Sequence, residues 1–536
     1  MDCQQVTKQL EASSLEIIRR LDTFSLQATK YLSNRSNLET VGKITAISVA
    51  TYVVANRLYQ GFFGPLSGLP GPFWSKFIEF PRFLFNRPRG TSYQRVLSLH
   101  DKYGEVVRLG PTFVSIADKN MLKQILFTED FPKAKIYDAF QKKGDHTLFS
   151  TTDAVWHKKR RRLVSPAFSI KYLNSMEPFM AKVTESLVYK IDSEIALHGD
   201  SDSYAHVDIW GLAQRLALDV IGETAFGQTF NMVEKNDHFV PGAITDGMKA
   251  TAVSVLYPLL AKLFLKNGGE PDPKLRKVLF QFMTDIIQDR LKNSKGEAEQ
   301  RKDILQFLIN VQQTADADNS LTVDSIISET TLFLIAGSET TSNSIGFAFI
   351  HLLQNPDKLK KLYQELDTVD FEPGQIILHH EQVKHLPYLN AVINETLRMD
   401  NVAAAGIFRR VPKDTMLDGR VFVPKDTTLG CNILHAQINN KYWPHPQEFK
   451  PERWLESSQN KDEASDLEAF FTFSVGTRNC IGKNFALQEM RLVIATLLKT
   501  YEIQPIEEEM EEAKERRHFI TLTVPSCKFN IKVRRR

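Results

Sequence analysis

The sequence predicts a mainly α-helical protein with small β-sheets, in which one large domain follows an N-terminal membrane anchor. Apolar residues recur at helical spacing over most of residues 156–398. Strand-like runs are short and confined to residues 106–116, 421–423, 519–524 and 529–533. Because the chain shows neither a repeat of about 20–50 residues nor an alternating strand–helix–strand pattern, we exclude repeat proteins and doubly wound sheets.

Composition and charge exclude several broad classes of protein. The 536 residues include 67 Lys and Arg against 64 Asp and Glu, a formal charge of +3, and 42% of them are hydrophobic. This balance is typical of a folded globular chain, so wholesale disorder, a collagen-like repeat and a polytopic membrane protein are excluded. Net charge gives no reason to expect a nucleic-acid partner, and none is predicted.

The N-terminus is predicted to comprise a polar extension, residues 1–40, and a membrane anchor, residues 41–63. Twelve uncharged residues, 44–55, are flanked by Lys43 and Arg57. As a helix they rise about 18 Å, less than the roughly 30 Å hydrocarbon core of a bilayer. Extension to the end of the segment, with both flanking cations reaching the headgroups, predicts a marginal anchor that either spans the bilayer or lies in its interface.

Residues 64–72 are predicted to form a stiff hinge between the anchor and a single domain, residues 73–536. The hinge contains Pro65, Pro70 and Pro72. Proline fixes its own φ and disfavours helix in the residue before it. We therefore expect the anchor and the domain to be separate bodies.

The four cysteines, Cys3, Cys431, Cys480 and Cys527, are widely separated. Disulfide frameworks and structural zinc sites both need clustered thiols, so neither is expected. Cys431 and Cys527 are interpreted as buried, inert small hydrophobes. Cys480 differs from them because of the loop around it.

The loop around Cys480 reads Phe473-x-x-Gly476-x-Arg478-x-Cys480-x-Gly482 and leads directly into an apolar helix. Free N–H groups and the dipole at a helix N-terminus favour an anionic sulfur, so the loop is suited to a thiolate ligand. The two glycines permit tight turns and the close approach of a flat group. Arg478 can pair with a carboxylate on the same group.

A second interpretation of this loop is a degenerate phosphate-binding loop. It fails because Asn484 replaces the Ser or Thr that would hold magnesium, and because no strand–helix–strand unit precedes it. The loop instead resembles the haem-binding loop of the cytochrome P450 family, in which Cys480 would be the axial ligand of the haem b iron. The resemblance covers residues 65–536 and implies that the other specified residues of the loop contact the cofactor.

Two further motifs occur in the family's order before the loop. By resemblance, Glu395 and Arg398 on a helix, followed by Arg453, would form a buried charge triad that is structural rather than chemical. Upstream, Glu339 and Thr340 interrupt a long apolar helix. The resemblance implies that Thr340 donates a hydrogen bond to dioxygen and that Glu339 helps relay protons. Without the resemblance, the simpler interpretation is that the Thr340 hydroxyl donates to a carbonyl of the preceding helical turn.

Basic residues are expected to hold the carboxylates of the cofactor. Trp156 and Arg160 match the family's Trp-x-x-x-Arg pattern, and Arg409 lies at the spacing of another propionate-binding arginine. Together with Arg478 they form the predicted carboxylate clamp, for which Arg410 is an alternative.

Two positions depart from the family's pattern. Residues 399–402 read Met-Asp-Asn-Val where prolines usually follow the Glu-x-x-Arg motif, so the turn is expected to be looser. Gln437 occupies a position where the family commonly has His. Neither change is expected to touch the iron.

The resemblance implies a monooxygenase that inserts one atom of O2 into a small lipophilic substrate. The chain has no Gly-x-Gly-x-x-Gly motif, so electrons are expected to come from another protein. The resemblance to anchored members of the family implies that this partner is an NADPH-dependent, FAD- and FMN-containing cytochrome P450 reductase. The basic run 157–162 is the expected docking face for this partner. The anchor implies the endoplasmic reticulum membrane, with the domain on the cytosolic face.

The substrate is left open by the sequence. By resemblance, the pocket would be lined by residues 137–149, 253–265, 402–407 and 519–522, with Phe333 and Ala336. Their small or apolar character favours a steroid, terpenoid, fatty acid or xenobiotic. The N-terminus and loops resemble those of fungal members of the family, which points first to a sterol or steroid hydroxylase. One alternative is a haem-thiolate isomerase or dehydratase that needs no external electrons, but the presence of Glu339 and Thr340 argues against it. The other alternative is a non-catalytic binding protein.

Overall fold

The computed structural model of the chain forms two compact units, Met1–Gly68 and Leu69–Arg536. The structure describes residues 23, 35–78, 90–140, 146–200, 202–235, 239–240, 273–292, 301–314, 321–455 and 464–536. The predicted pocket segment 253–265 and most of the predicted polar extension lie outside the described residues. The boundary between the units falls within the segment predicted as a hinge.

The first unit contains helix α1, Arg35–Phe62, which covers the predicted anchor except for Phe63. Large apolar side chains of this helix, among them Ile47, Val53 and Leu58, are exposed. No helix in the described ranges combines the length and the sustained hydropathy needed to cross a membrane. Attachment of this segment to a membrane stays a prediction.

The second unit is mainly helical, and the predicted fold class is confirmed. Side-chain caps begin several helices: Asp153 accepts the N–H groups of Val155 and Trp156, and Thr322 accepts that of Ser325. The described helices are α2 (Ser92–Tyr103), α3 (Lys119–Lys123), α4 (Ala154–Val164), α5 (Ile170–His198), α6 (Ile209–Ile221), α7 (Pro273–Lys292), α8 (Ile304–Thr314), α9 (Val323–Gln354), α10 (Pro356–Leu366), α11 (His380–Val383), α12 (Pro387–Met399), α13 (Ile433–Gln437), α14 (Lys483–Thr500) and α15 (Glu507–Glu512).

The strands are short and form small sheets. They are β1 (Val106–Gly110), β2 (Phe113–Ile116), β3 (Ala205–Asp208), β4 (Ile407–Arg410), β5 (Thr415–Leu417), β6 (Val421–Val423), β7 (Thr428–Cys431), β8 (Tyr501–Gln504), β9 (Arg517–His518), β10 (Leu522–Thr523) and β11 (Asn530–Arg535). One mixed sheet has the order β1-β2-β7-β4, with β2 and β7 parallel. An antiparallel sheet has the order β3-β11-β8, and β5–β6 and β9–β10 are separate antiparallel pairs.

Helix α9 packs closely against α6 in the core of the second unit. Trp210 of α6 is fully buried, and its ring centroid lies 5.0 Å from that of Phe347 on α9. A Cβ at Gly346 would overlap the Trp210 ring, so glycine lets the two helices approach each other. Because α9 also carries Thr340, this contact fixes the position of the predicted oxygen-activating residues.

The predicted charge triad is assembled around Glu395, which is fully buried. Arg398 donates from Nε and Nη2 to the two carboxylate oxygens, each at 2.8 Å, and Arg453 Nε donates to Oε1 at 2.9 Å. The Lys450 backbone N–H and the Trp454 indole N–H complete the shell at 3.0 and 2.9 Å. Burial acts to raise the pKa of Glu395, but the two arginines hold it below its usual range.

We predict that Glu395→Gln lowers the free energy of unfolding by about 3–5 kcal/mol, because it leaves two buried guanidinium groups without their anion. Urea denaturation followed by tryptophan fluorescence measures the change. The matched control is Glu194→Gln on α5, because Glu194 is partly exposed and pairs with Lys190 at 2.8 Å. Such pairs contribute less than about 1 kcal/mol. Equal losses in the two variants would contradict a structural role for the triad.

Candidate functional site

The loop predicted to hold the cofactor folds tightly around Cys480. The Cys480 N–H donates to the Phe473 carbonyl at 2.8 Å, so the ends of the motif meet. Gly476 has a φ of +79°, and a Cβ there would overlap the Leu126 carbonyl. Both the backbone conformation and the available space therefore require glycine. Gly482 is the N-cap of α14, which places the sulfur at the helix N-terminus as predicted.

The Cys480 thiol is accessible to solvent, although protein fills most of the volume around it. This burial raises the pKa of the Cys480 thiol, whereas the Gly482 N–H, Arg161 and Lys483 lower it. A partial positive charge from the helix N-terminus adds to these two cations. An accessible thiol in such surroundings can coordinate a metal cation, whose own charge favours the thiolate form.

A basic cluster, formed by Lys133, His157, Arg161, Arg409 and Arg478, is concentrated near the Cys loop. Lys133 and Arg409 face each other across an isolated β-bridge, and both are buried. Burial, together with the nearby arginines, lowers the pKa of Lys133 well below its usual range. Burial and the same cations lower the pKa of His157 to about 3, and burial with Arg409 lowers that of Arg478 to about 10. Cations gathered in this way repel one another unless an anion lies among them.

The donors of the basic cluster fit the two carboxylates of a haem. Arg409 Nε is buried and has no hydrogen-bond acceptor. Lys133 Nζ donates to the Phe149 carbonyl, and Arg478 Nη1 donates to the Thr151 carbonyl at 3.1 Å. Glu329 attracts Lys133, and Asp130 attracts Arg478, but the carbonyl acceptors of these hydrogen bonds are neutral. Carboxylates in place of the carbonyls would neutralise the cations through charge-assisted hydrogen bonds.

Arg160, the predicted clamp residue on α4, faces a different neighbour from Arg161. Its guanidinium lies 4.7 Å from the centroid of the Trp156 ring, and its Nε lies 3.9 Å from Glu329 Oε1 at the start of α9. Arg161 instead donates to the Asn479 carbonyl and side-chain oxygen, each at 2.8 Å, beside Cys480. The role predicted for Trp156 and Arg160 stays a prediction, and Arg161 was missed. The pair His157–Arg161 has the same spacing as Trp156–Arg160, so the spacing could not distinguish them.

Thr340 lies on an accessible turn of α9. Its hydroxyl donates to the Ala336 carbonyl at 2.7 Å, which is the local bond that a threonine in a helix commonly makes. Ala336 is exposed although its neighbours Phe333 and Leu334 are buried, so this turn can meet a ligand. Glu339, the next residue of the predicted pair, is half-buried.

Gln437, one of the two departures from the family's pattern, connects the charge triad to the Cys loop. Its Nε2 donates to the carbonyls of Leu397 and Arg398 at 3.2 and 3.0 Å. Its Oε1 accepts the backbone N–H of Phe471 at 3.0 Å, two residues before the motif begins. The glutamine therefore positions the loop without carrying a charge.

Three other predicted residues have different surroundings. Arg410 pairs with Asp426 at 3.0 Å on the exposed side of β4 and does not join the basic cluster. Phe473 packs against the main core, with Lys483 Nζ 5.7 Å from its ring centroid. Phe333, predicted to line the pocket, is 5% exposed and packs edge-on against a core phenylalanine, so the core holds most of its surface.

Comparison with known proteins identifies the family. The cytochrome P450 family model matches residues 67–533. Similar proteins include the cytochrome P450 monooxygenase LUC2 of Fusarium sp, 33% identical over 87% of this chain and 90% of that protein. The cytochrome P450 monooxygenase acrD of Aspergillus aculeatus is 35% identical over 83% of this chain and 87% of that protein. The cytochrome P450 monooxygenase FUS8 of Gibberella moniliformis is 32% identical over 93% of this chain and 96% of that protein. With the match extending over almost the whole described domain and its Cys loop, the chain belongs to the cytochrome P450 family.

Proposed function

We propose that the protein is a haem-thiolate monooxygenase that inserts one atom of O2 into a small lipophilic molecule. The observation that carries the proposal is the accessible Cys480 thiol at the N-terminus of α14, close to buried cations whose hydrogen-bond acceptors are neutral. A haem bound through a thiolate supplies the electron density that favours cleavage of the O–O bond. The names of the relatives, which are monooxygenases, support the same reaction.

The chain's own residues would bind and orient the cofactor. Lys133, Arg161, Arg409 and Arg478 would hold its carboxylates, since they are the cations of the basic cluster and their hydrogen-bond acceptors are neutral oxygens. His157 is neutral at physiological pH because its pKa is about 3, so it can donate one hydrogen bond without adding charge. Gly476 lets the loop backbone approach the flat face of the group.

Proton delivery is assigned to Thr340 and Glu339 on α9. The Thr340 hydroxyl donates to Ala336, and a rotation about χ1 would redirect its proton toward a ligand beside the exposed Ala336. Glu339 is half-buried and one residue away, so it can exchange protons with solvent and pass them to this turn. Retention of this acid–threonine pair favours the monooxygenase over an isomerase or dehydratase.

The electron donor is proposed to be an NADPH-dependent diflavin reductase carrying FAD and FMN. Lys158, Lys159 and Arg162 are exposed on α4, on the helix whose Arg161 contacts the Cys loop. A partner docked on these cations would therefore lie close to the cofactor. Attraction between the cations and an acidic surface would raise the rate of encounter.

Attachment to the cytosolic face of the endoplasmic reticulum membrane is part of the same proposal. The exposed apolar side chains of α1 and the flanking Lys43 and Arg57 suit a helix that lies at a bilayer surface. A membrane location would bring the enzyme to lipophilic substrates. No contact among the described residues favours a steroid over a terpenoid, a fatty acid or a xenobiotic, so the expected sterol or steroid hydroxylation stays a prediction.

We predict that the purified, dithionite-reduced protein gives a strongly red-shifted Soret band with carbon monoxide, and that Cys480→Ser loses it because the thiolate ligand is gone. An absorption difference spectrum makes the measurement. Cys527→Ser is the matched control. The predicted burial of Cys527 is wrong, because the structure places it as an accessible free thiol outside the loop. A red-shifted band that persists in Cys480→Ser would refute the assignment of the ligand.

We predict that Arg161→Gln accelerates haem loss about tenfold or more, because it removes a cation that neighbours both the thiol and the basic cluster. Transfer of haem to apomyoglobin, followed in the Soret region, gives the rate. Arg160→Gln changes the neighbouring arginine, whose side chain meets Glu329, and is expected to have a smaller effect. The reverse order would favour Arg160 as the clamp residue.

We predict that reversing Lys158 and Lys159 to Glu lowers reductase-supported turnover about tenfold at low salt and weakens its dependence on ionic strength. NADPH oxidation at several salt concentrations tests this. A control with the exposed Lys360 and Lys413 reversed carries the same change in net charge on other elements. Turnover and salt dependence equal to that control would exclude this face as the docking site.

A further inference from the structure

Strand β10 is attached to the core beside the proposed oxygen site. The Leu522 N–H donates to the Val402 carbonyl at 2.9 Å, and Asn343 Nδ2 donates to the Leu522 carbonyl at 3.0 Å. Because Asn343 lies three residues beyond Thr340 on α9, β10 is within about one helical turn of Thr340. The position of the hairpin β9–β10 therefore limits the space beside this turn.

A buried ion pair holds the residue that directly precedes the hairpin. Arg516 donates from Nε and Nη2 to the two oxygens of Asp400 at 2.9 and 3.0 Å. His351 Nε2 lies 2.7 Å from Asp400 Oδ2. The side chains of Asp400 and Arg516 are only 9% and 12% exposed, so solvent screens their attraction weakly. Burial acts to raise the pKa of Asp400, but Arg516 and His351 hold it well below its usual range.

The partners of the hairpin and of the ion pair follow one face of α9. Ala336, Thr340, Asn343, Phe347 and His351 succeed one another at intervals of three or four residues, which aligns them in one stripe. The Arg516 guanidinium lies 4.7 Å from the centroid of the Phe347 ring. Helix α9 thus carries the proposed oxygen site at one point of the stripe. The residues that contact the hairpin and its ion pair lie one to three turns further along the same helix.

The turn that carries Asp400 is connected to the hairpin by a backbone hydrogen bond, from the Leu522 N–H to the Val402 carbonyl, and by the Asp400–Arg516 ion pair. Residues 399–402 contain no proline, so the backbone itself is not stiffened. A cavity of about 350 Å³, whose lining includes Tyr93, Asp400 and Leu522, lies beside the turn. The cavity leaves space on that side of the turn, and the ion pair connects the turn to the hairpin through side chains.

We propose that Asp400 and Arg516 are positioning residues that set the distance between hairpin β9–β10 and α9 and thereby select lipophilic substrates by size. This inference rests on the proposed monooxygenase function and assigns no chemical step to either residue. A short ion pair that solvent screens only weakly resists outward movement of the hairpin. While the pair is intact, the binding of bulky molecules is disfavoured. Phe519, which follows β9 and is 36% exposed, is the side chain that the hairpin would move.

The test is a double variant, Asp400→Asn with Arg516→Gln, which removes both charges of the ion pair together, so that neither is left buried without the other. In the haem-loaded full chain, we expect amide hydrogen exchange over residues 516–524 to become at least about tenfold faster. Imidazole and clotrimazole serve as a small and a bulky haem ligand, with affinities read from Soret shifts. We expect clotrimazole, relative to imidazole, to bind about tenfold more tightly to the double variant than to the wild type.

Arg517→Gln is the matched control, because Arg517 is the adjacent arginine and its partner, Glu515, is exposed. We expect this control to match the wild type in both measurements, and Arg516→Lys to retain most of the protection. Wild-type exchange and a wild-type ligand ratio in the double variant would overturn the proposal. A wild-type chain that shows no thiolate-type Soret band would refute the proposed function instead, and exchange over residues 516–524 would still decide whether the ion pair holds the hairpin.

Discussion

A carboxylate that is fully buried must be surrounded by hydrogen-bond donors, and Glu395 meets this requirement by joining segments that are far apart in the chain. Arg398 comes from the same helix, whereas Arg453 comes from the 3-10 turn Pro451–Trp454. Arg398 also donates to the Gln437 carbonyl at 2.8 Å. Because the Gln437 side chain holds the backbone just before the Cys loop, the placement of that loop follows from the solvation of one buried anion.

The charges near the Cys loop are arranged differently from those of the triad. At the triad, two guanidinium groups share one carboxylate and most of their remaining donors meet backbone carbonyls, so an anion lies between the two cations. The basic cluster instead brings four cations together with neutral acceptors, and burial depresses the pKa of Lys133. Leaving cations buried without anions costs several kcal/mol per group in most proteins. A group that carries two carboxylates and accepts a thiolate would compensate this excess, so the electrostatics favour haem binding independently of the motif.

The sequence was most informative where the signal is local. The helical class, the small sheets and the loop around Cys480 could be predicted because each depends on residues that are close together in the chain. Arg160 and Arg161 could not be distinguished, since each lies four residues after a ring-bearing side chain and only the rotation of α4 decides which one meets the loop. Lys133 could not be predicted at all, because its neighbour Arg409 reaches it through a β-bridge between distant segments.

The two departures from the family's pattern have different physical consequences. Gln437 connects the triad to the loop through neutral hydrogen bonds, which do not depend on the protonation of its side chain. Asp400 connects the turn after α12 to the hairpin through charge, so its contribution depends on ionisation. Because its pKa is depressed in the fold, that contribution is present above the ordinary pKa of an aspartate and is lost only as the pH falls through the lowered value. The hairpin is therefore held by an interaction that protonation of Asp400 can weaken, whereas the hydrogen bond of Gln437 to the backbone before the Cys loop carries no charge.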